Sequence, residues 1–124
     1  KEYAALKQIL APFGLHPLDF YKGKNGRSAR MELKDGHVVY LDLSNLSLTE
    51  IPEALGTFSR LEHLDVGDNA LTSLPDSILN IPVRKLDIYR LPDTFYRAQD
   101  NKHKIEELRA RGVSIITDIA QGAW

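Results

Sequence analysis

Three aspartates recur at nearly equal spacing in this chain, each between two aliphatic residues. Asp42 lies 23 residues before Asp65, which lies 22 residues before Asp87. Carboxylates brought together in this way could attract a basic or hydroxyl-rich partner, or could contribute to binding a cation. His63 stands two residues before Asp65, and Ser44 stands two residues after Asp42, so a nucleophile with a nearby base also has to be considered.

The apolar residues around these aspartates repeat with the same spacing and predict parallel strands. They are Val38, Leu41, Leu43, Leu46, Leu48 and Ile51 in the first copy, and Leu61, Leu64, Val66, Leu71 and Leu74 in the second. Self-similarity with a period of roughly 20 to 29 residues indicates a solenoid, because one coil cannot bury its apolar face alone. In each strand the leucines are expected to point into the core and the alternate residues to point outward.

The best copy, Leu-Glu-His-Leu-Asp-Val-Gly-Asp-Asn-Ala-Leu-Thr-Ser-Leu-Pro ending at Pro75, resembles the leucine-rich repeat family in its 23-residue, Leu-Pro-containing form. The first copy departs from the family pattern at Leu46, where the family has Asn. A third, partial copy begins at Val83. The resemblance covers residues 37–92 and implies a parallel sheet on a concave face that binds partner proteins. In the best copy Asn69 is expected to be buried, with its side-chain amide bonded to backbone groups.

The segment before the repeats predicts a helix and a hairpin. Residues 2–11 place apolar side chains at helical spacing, namely Tyr3, Leu6, Ile9 and Leu10. Residues 15–26, which include a basic run, are predicted to be a solvated loop. Asp35-Gly36 is a strong two-residue turn signal, so residues 27–33 are expected to pair with the first strand of the repeats. The helix and hairpin would cover the first open edge of the solenoid.

The segment after the repeats predicts a helix and a last strand. Lys102–Arg111 has helical spacing, with Asp100 or Asn101 as its N-cap. Val113–Thr117 is β-branched and is expected to be a parallel strand. Phe95 and Tyr96 interrupt the third copy, and two interpretations stay open: they cover the apolar side of the last coil, or they project from an inserted loop as a binding edge.

The sequence thus predicts a single α/β domain, a short leucine-rich repeat solenoid closed at both ends. Residues 1–36 would form the N-terminal cap, residues 37–92 the repeats and residues 93–124 the C-terminal cap. The net charge of −1 at pH 7 argues against a nucleic-acid binder. No apolar run approaches the roughly 18 residues needed to span a bilayer, so no membrane partner is expected. The chain has no cysteine, which excludes disulfides and a thiol nucleophile.

The outward positions of the three strands are the predicted partner-binding surface. These positions are Tyr40, Asp42, His63, Asp65, Lys85, Asp87 and Tyr89. The aspartates would lie one strand apart, at about 4.8 Å, where two exposed charges repel by roughly 0.9 kcal/mol in water. Either the aspartates are merely a common feature of such strands, or a basic partner lies across them. A metal ion is disfavoured because one row of single carboxylates lacks a converging oxygen cage.

Catalysis is not expected, because no oxyanion donors accompany Ser44 and His63 and the histidines lack a metal-ligand spacing. No catalytic residue, cofactor or metal is therefore assigned. The predicted function is a protein–protein interaction module that binds a partner protein through the concave face, and a basic partner is one of the candidates. The alternative is a structural or assembly domain that self-associates, for example as a homodimer, or that docks on another domain. Extracellular members of the family usually have cystine-rich caps, so a cytoplasmic location is expected.

Overall fold

A five-stranded sheet in chain order runs through the computed structural model, which describes residues 1–22 and 29–119. β1 and β2 are antiparallel, and β2 to β5 are parallel to one another. The strands are β1 (Met31–Lys34), β2 (His37–Asp42), β3 (His63–Asp65), β4 (Lys85–Asp87) and β5 (Ser114–Ile116). Helices and strands therefore combine in one α/β structure, as the sequence predicts.

Four α-helices and three short 3₁₀ turns connect or flank these strands in the described part of the chain. The helices are α1 (Glu2–Leu10), α2 (Pro17–Lys22), α3 (Asp93–Arg97) and α4 (Gln99–Ala110). The 3₁₀ turns are Ala11–Phe13, Glu53–Thr57 and Asp76–Asn80. The last two directly follow prolines, which suit the start of a turn because no amide donor is needed there. Within the described residues, no helix is both long and apolar enough to cross a lipid bilayer.

The core is built on a row of leucines in exact register. Leu41, Leu64 and Leu86 are cross-strand neighbours on β2, β3 and β4, and all three are fully buried. Each such side chain contributes about 2 kcal/mol when it leaves water. On β5 the register continues with Ile115, which is partly buried. The predicted inward direction of the leucines is confirmed.

The hairpin forms where the sequence predicts it. Asp35 and Gly36 have φ angles of 51° and 78°. Positive φ at both central residues is the geometry that an Asp-Gly dipeptide favours in a two-residue hairpin loop. The Glu2 carboxylate joins α1 to the second strand of the hairpin, because it accepts the Val38 backbone N–H at 2.7 Å and lies 2.9 Å from His37 Nδ1.

Three details of the N-terminal segment differ from the prediction. Tyr3 is 56% exposed, whereas Ala5 is buried together with Leu6, Ile9 and Leu10. The predicted loop 15–26 contains α2, since the chain forms a helix of 6 residues after His16. The rest of that loop, including most of the basic run, lies in residues 23–28, outside the described residues.

The buried amide of Asn69 is confirmed. Its Oδ1 accepts the backbone N–H groups of Leu46 and Leu48 at 3.1 and 3.0 Å. Its Nδ2 donates to the carbonyl oxygens of Leu43, Val66 and Gly67 at 2.9–3.0 Å. Asn69 thus satisfies backbone groups of the turn after β2 as well as those of its own turn.

Asn101 has a similar role in the turn after β3, so its predicted role as N-cap is wrong. α4 begins at Gln99 and has Ala98 as its N-cap, which places Asn101 inside the helix. The Asn101 side chain is completely buried, accepts the Leu74 N–H at 3.3 Å and donates to Thr72 O at 2.9 Å. A helix therefore supplies the carboxamide that the truncated third copy lacks.

Phe95 and Tyr96 are buried, which decides between the two interpretations of this segment. The Tyr96 hydroxyl donates to Ile88 O at 2.7 Å and accepts the Leu91 N–H at 3.1 Å. The two rings meet edge to face with centroids 5.5 Å apart. These aromatic residues cover the apolar side of the last coil and do not project as a binding edge.

Candidate protein-binding face

The face of the sheet opposite the leucines, called the polar face below, carries rows of side chains in strand register. The first row is Tyr40, His63, Lys85 and Ser114, and the second is Asp42, Asp65, Asp87 and Ile116. Beyond the strand ends, Ser44, Gly67 and Tyr89 continue the face. All seven residues of the predicted binding surface lie on this face, and the three aspartates are direct neighbours.

The aspartates are not the open row of charges that the sequence led us to expect. Asp65 and Asp87 are each only 8% exposed, because side chains of adjoining strands lie over them. Asp65 accepts the Gly67 N–H at 2.9 Å and the Tyr89 hydroxyl at 3.2 Å. A Cβ built on Gly67 would lie 2.9 Å from Tyr89 ring atoms, so glycine leaves the space in which this ring covers Asp65. Replacing Asp65 or Asp87 by Lys would therefore disturb buried groups.

The electrostatics of Asp65 follow from this cover. Burial raises the pKa of the Asp65 carboxyl above its ordinary value, although the hydrogen bond from Gly67 opposes the change. The neighbouring carboxylates of Asp87 and Asp42 raise this pKa further. Burial, followed by the negative charge of Asp65, also raises the pKa of the Tyr89 hydroxyl, which stays a hydrogen-bond donor at neutral pH.

The Asp42 carboxylate forms its hydrogen bonds with Ser44, two residues further along the same chain segment. Its Oδ1 accepts the Ser44 backbone N–H at 2.8 Å and the Ser44 hydroxyl at 2.5 Å. Arg30 Nη1 lies 3.8 Å from the same oxygen and donates to Ser44 O at 2.6 Å. The hydroxyl of Ser44 is thus directed to Asp42 rather than to His63, and the two residues do not form a nucleophile–base pair.

His63 and Asp87 form the least satisfied contact of the polar face. His63 Nε2 lies 3.4 Å from Asp87 Oδ1, and among the described residues neither atom has a hydrogen-bond partner. The Tyr40 ring lies against His63 with centroids 4.8 Å apart and planes tilted by 53°. Neighbouring side chains and strands enclose both atoms. A hydrogen on Nε2 would let His63 donate a charge-assisted hydrogen bond to the Asp87 carboxylate.

The groups that a partner can reach on this face are mainly rings and cations. Lys85 is exposed at the end of β4. Arg90, whose side chain is 67% exposed, lies 5.1 Å from the Tyr89 ring centroid and 2.9 Å from Asp68 Oδ1. Ile116 on β5 is 41% exposed and was missed from the predicted surface, although the alternation of residues 113–117 indicates that it points outward.

The arrangement does not resemble a metal centre. In the part of the chain that the structure describes, no group of three or more His, Asp or Glu side chains is placed to hold a metal ion. Each aspartate of the row meets a different neighbour, so the carboxylate oxygens do not converge on one point.

Comparison with known proteins identifies the repeated part of the chain. A family model described as Leucine Rich Repeat matches residues 37–58 and 60–81. No curated protein and no solved structure matches the chain. The two matched segments are the coils that begin with β2 and β3, and the strand β4 follows in the same register. With their regular spacing of buried leucines and the buried Asn69, residues 37–58 and 60–81 are leucine-rich repeats.

Proposed function

We propose that the protein is a protein-interaction module and that its partner binds on the polar face. Leucine-rich repeats are commonly interaction modules. The observation that carries the proposal is that three neighbouring strands place large rings, those of Tyr40, His63 and Tyr89, on one regular sheet. Tyrosine and arginine are enriched at the energetic centres of interfaces, and a stiff sheet holds them at little cost in entropy.

The partner is proposed to contact the rings together with Lys85 and Arg90. The aspartates would position these rings without touching the partner, because Asp65 accepts a hydrogen bond from the Tyr89 hydroxyl and Asp87 lies against His63. A partner that depends on direct pairing with the acidic row is not supported, since two of its three members are covered. A basic partner, which is one of the alternatives that the sequence leaves open, is therefore not part of this proposal.

The face is further proposed to be the concave side of a short solenoid within a single domain. Residues 37–92 would form the solenoid, and residues 1–36 and 93–124 would close its ends. Contacts of α1 with the Glu53–Thr57 turn and of α4 with the Asp76–Asn80 turn support this arrangement. The cytoplasmic location stays a proposal from the sequence.

Capture of partners from native lysate tests the proposed face. Lys85→Glu and Tyr40→Ala should each reduce the recovery of an authentic partner about tenfold or more, because each changes the centre of the face. Lys7→Glu, an equal charge reversal on the exposed side of α1, is the matched control and should bind like the wild type. Circular dichroism establishes that all variants are folded. Unchanged capture by both face variants would place the binding site elsewhere.

A further inference from the structure

The exposed apolar side chains of the described residues are not scattered. Of the four large ones, three belong to the N-terminal segment: Tyr3 is 56% exposed, Leu18 55% and Leu33 43%. Tyr3 and Leu33 line one groove of about 180 Å³ together with Pro17 and Met31. Leu18 directly follows Pro17. Clustered apolar exposure of this kind marks an interaction site more often than single exposed residues do.

The strand that carries Leu33 is also an edge strand. Within the described residues β1 pairs only with β2, and its other edge meets no strand. Opposite the step from Glu32 to Leu33, the pairing moves from Tyr40 to Val38, so the extra residue of the bulge lies in β2. β1 itself alternates regularly over four residues and can accept a further strand, as exposed edges do.

We propose that β1 pairs in antiparallel fashion with β1 of a second copy of this chain, with the two-fold axis at Leu33. In this register Leu33 faces Leu33 of the second copy. Glu32 faces Lys34 of the second copy, and by symmetry Lys34 faces its Glu32. Opposite charges directly across a strand pair contribute roughly 0.2 to 1 kcal/mol each. The interface then has an apolar centre flanked by two ion pairs.

The same charges exclude the neighbouring registers. A shift of two residues in one direction sets Glu32 against Glu32, and it also sets Arg30 against Lys34. A shift in the other direction sets Lys34 against Lys34. Like charges directly opposite each other are destabilising. Charges that usually protect an edge from pairing therefore select one self-pairing here and reject its alternatives.

The pairing would join two sheets side by side and keep both polar faces on one side of the dimer. Glu32 pairs with Tyr40 in β2, which places it at the margin of the polar face and away from its central rings. This inference concerns a different surface from the proposed partner site, so either can fail without the other.

Sedimentation velocity of the full chain, from micromolar to millimolar concentration, tests the inference. The wild type should dimerise. Glu32→Lys and Lys34→Glu should each raise the dissociation constant about tenfold or more, because each creates two like-charge pairs. An equimolar mixture of the two variants should dimerise again, since one copy then presents two cations and the other two carboxylates. Both residues are exposed, so neither change touches the core.

Lys7→Glu is the control for charge reversal and should dimerise like the wild type. Three results would overturn the inference: a wild type that stays monomeric up to millimolar concentration, a dimer that survives both single substitutions, or a mixture of the two variants that stays monomeric. A wild type that is monomeric but binds an extended foreign peptide on β1 would also overturn it, since the edge would then serve another occupant.

Discussion

Residues 37–81 and residues 82–119 build the same sheet by different means. In the first region both coils follow the repeat pattern except at Leu46, and Asn69 binds the backbone of the preceding turn from its repeat position. In the second region the pattern breaks, yet β4 and β5 keep the register. There Asn101 binds the turn after β3 from within α4. The strands keep their register when the buried backbone N–H and C=O groups of the turns have hydrogen-bond partners, and a side chain from a repeat or from a helix can provide them.

The second region adds two more side chains to this task. Lys104 is 6% exposed, and its Nζ donates to Leu74 O at 2.6 Å while it contacts Asp76 and Asp100 at 2.9 and 2.8 Å. The Tyr96 hydroxyl binds the backbone beyond β4. In the second region, Lys104 and Tyr96 thus make the hydrogen bonds to the backbone that a side chain at a repeat position makes in the first.

The largest expected effect tests whether the two regions share one core. Leu64→Ala and Leu86→Ala should each lower the free energy of unfolding by about 2 to 5 kcal/mol, because both side chains are fully buried between flanking strands. Urea denaturation measures the loss. If Leu86→Ala costs less than about half as much as Leu64→Ala, the second region does not fold as one unit with the first.

A smaller effect compares the two carboxamides. Asn69→Leu should cost about 1 to 3 kcal/mol through backbone groups left unpaired, and Asn101→Leu should cost a similar amount. Asn80→Leu, at an exposed position, is the control and should be nearly neutral. A neutral Asn101→Leu variant, measured by the same denaturation, would show that the helix is not a substitute for the repeat position.

The sequence predicts more of the first region than of the second. The spacing of leucines and of Asp42, Asp65 and Asp87 gives the strand register, because a repeat of the chain is a repeat of the coil. The sequence predicts Asn101 as a helix N-cap because the local pattern of residues 100–111 carries no information about the distant turn after β3, which Asn101 contacts. The cover over Asp65 depends on how the Tyr89 ring crosses from one strand to the next, which alternation along a strand does not specify.

Lys104→Met tests the use of a charged side chain in the second region and should lower the free energy of unfolding by about 1 to 2 kcal/mol. Burial alone would lower the pKa of the Lys104 ammonium, but the carboxylates of Asp100 and Asp76 outweigh it and raise this pKa. The contribution of the charge is therefore complete below the ordinary lysine pKa and is lost as pH rises through the raised value. Denaturation of wild type and variant should converge at strongly alkaline pH; a gap independent of pH would refute the charge argument.

The smallest effect concerns Asp65 in the first region. Its raised pKa means that the folded state holds the proton more tightly than the unfolded state, so ionisation of Asp65 lowers stability as pH rises through this range. Asp65→Asn removes this ionisation and keeps a side-chain oxygen that can accept hydrogen bonds from Gly67 and Tyr89. The variant should gain stability relative to wild type from acidic to neutral pH in parallel denaturation curves. A relative loss over the same range would mean that the charge is needed.

The close contact between Gly67 and the Tyr89 ring has an evolutionary consequence. Because the Tyr89 ring fills the space that a side chain at position 67 would need, position 67 cannot gain a side chain while this ring stays. Related sequences that carry a side chain at position 67 should have a small residue at position 89. An artificial repeat inserted between the two coils would separate the pair, and its designer would have to supply a new glycine opposite Tyr89 and a new ring opposite Gly67.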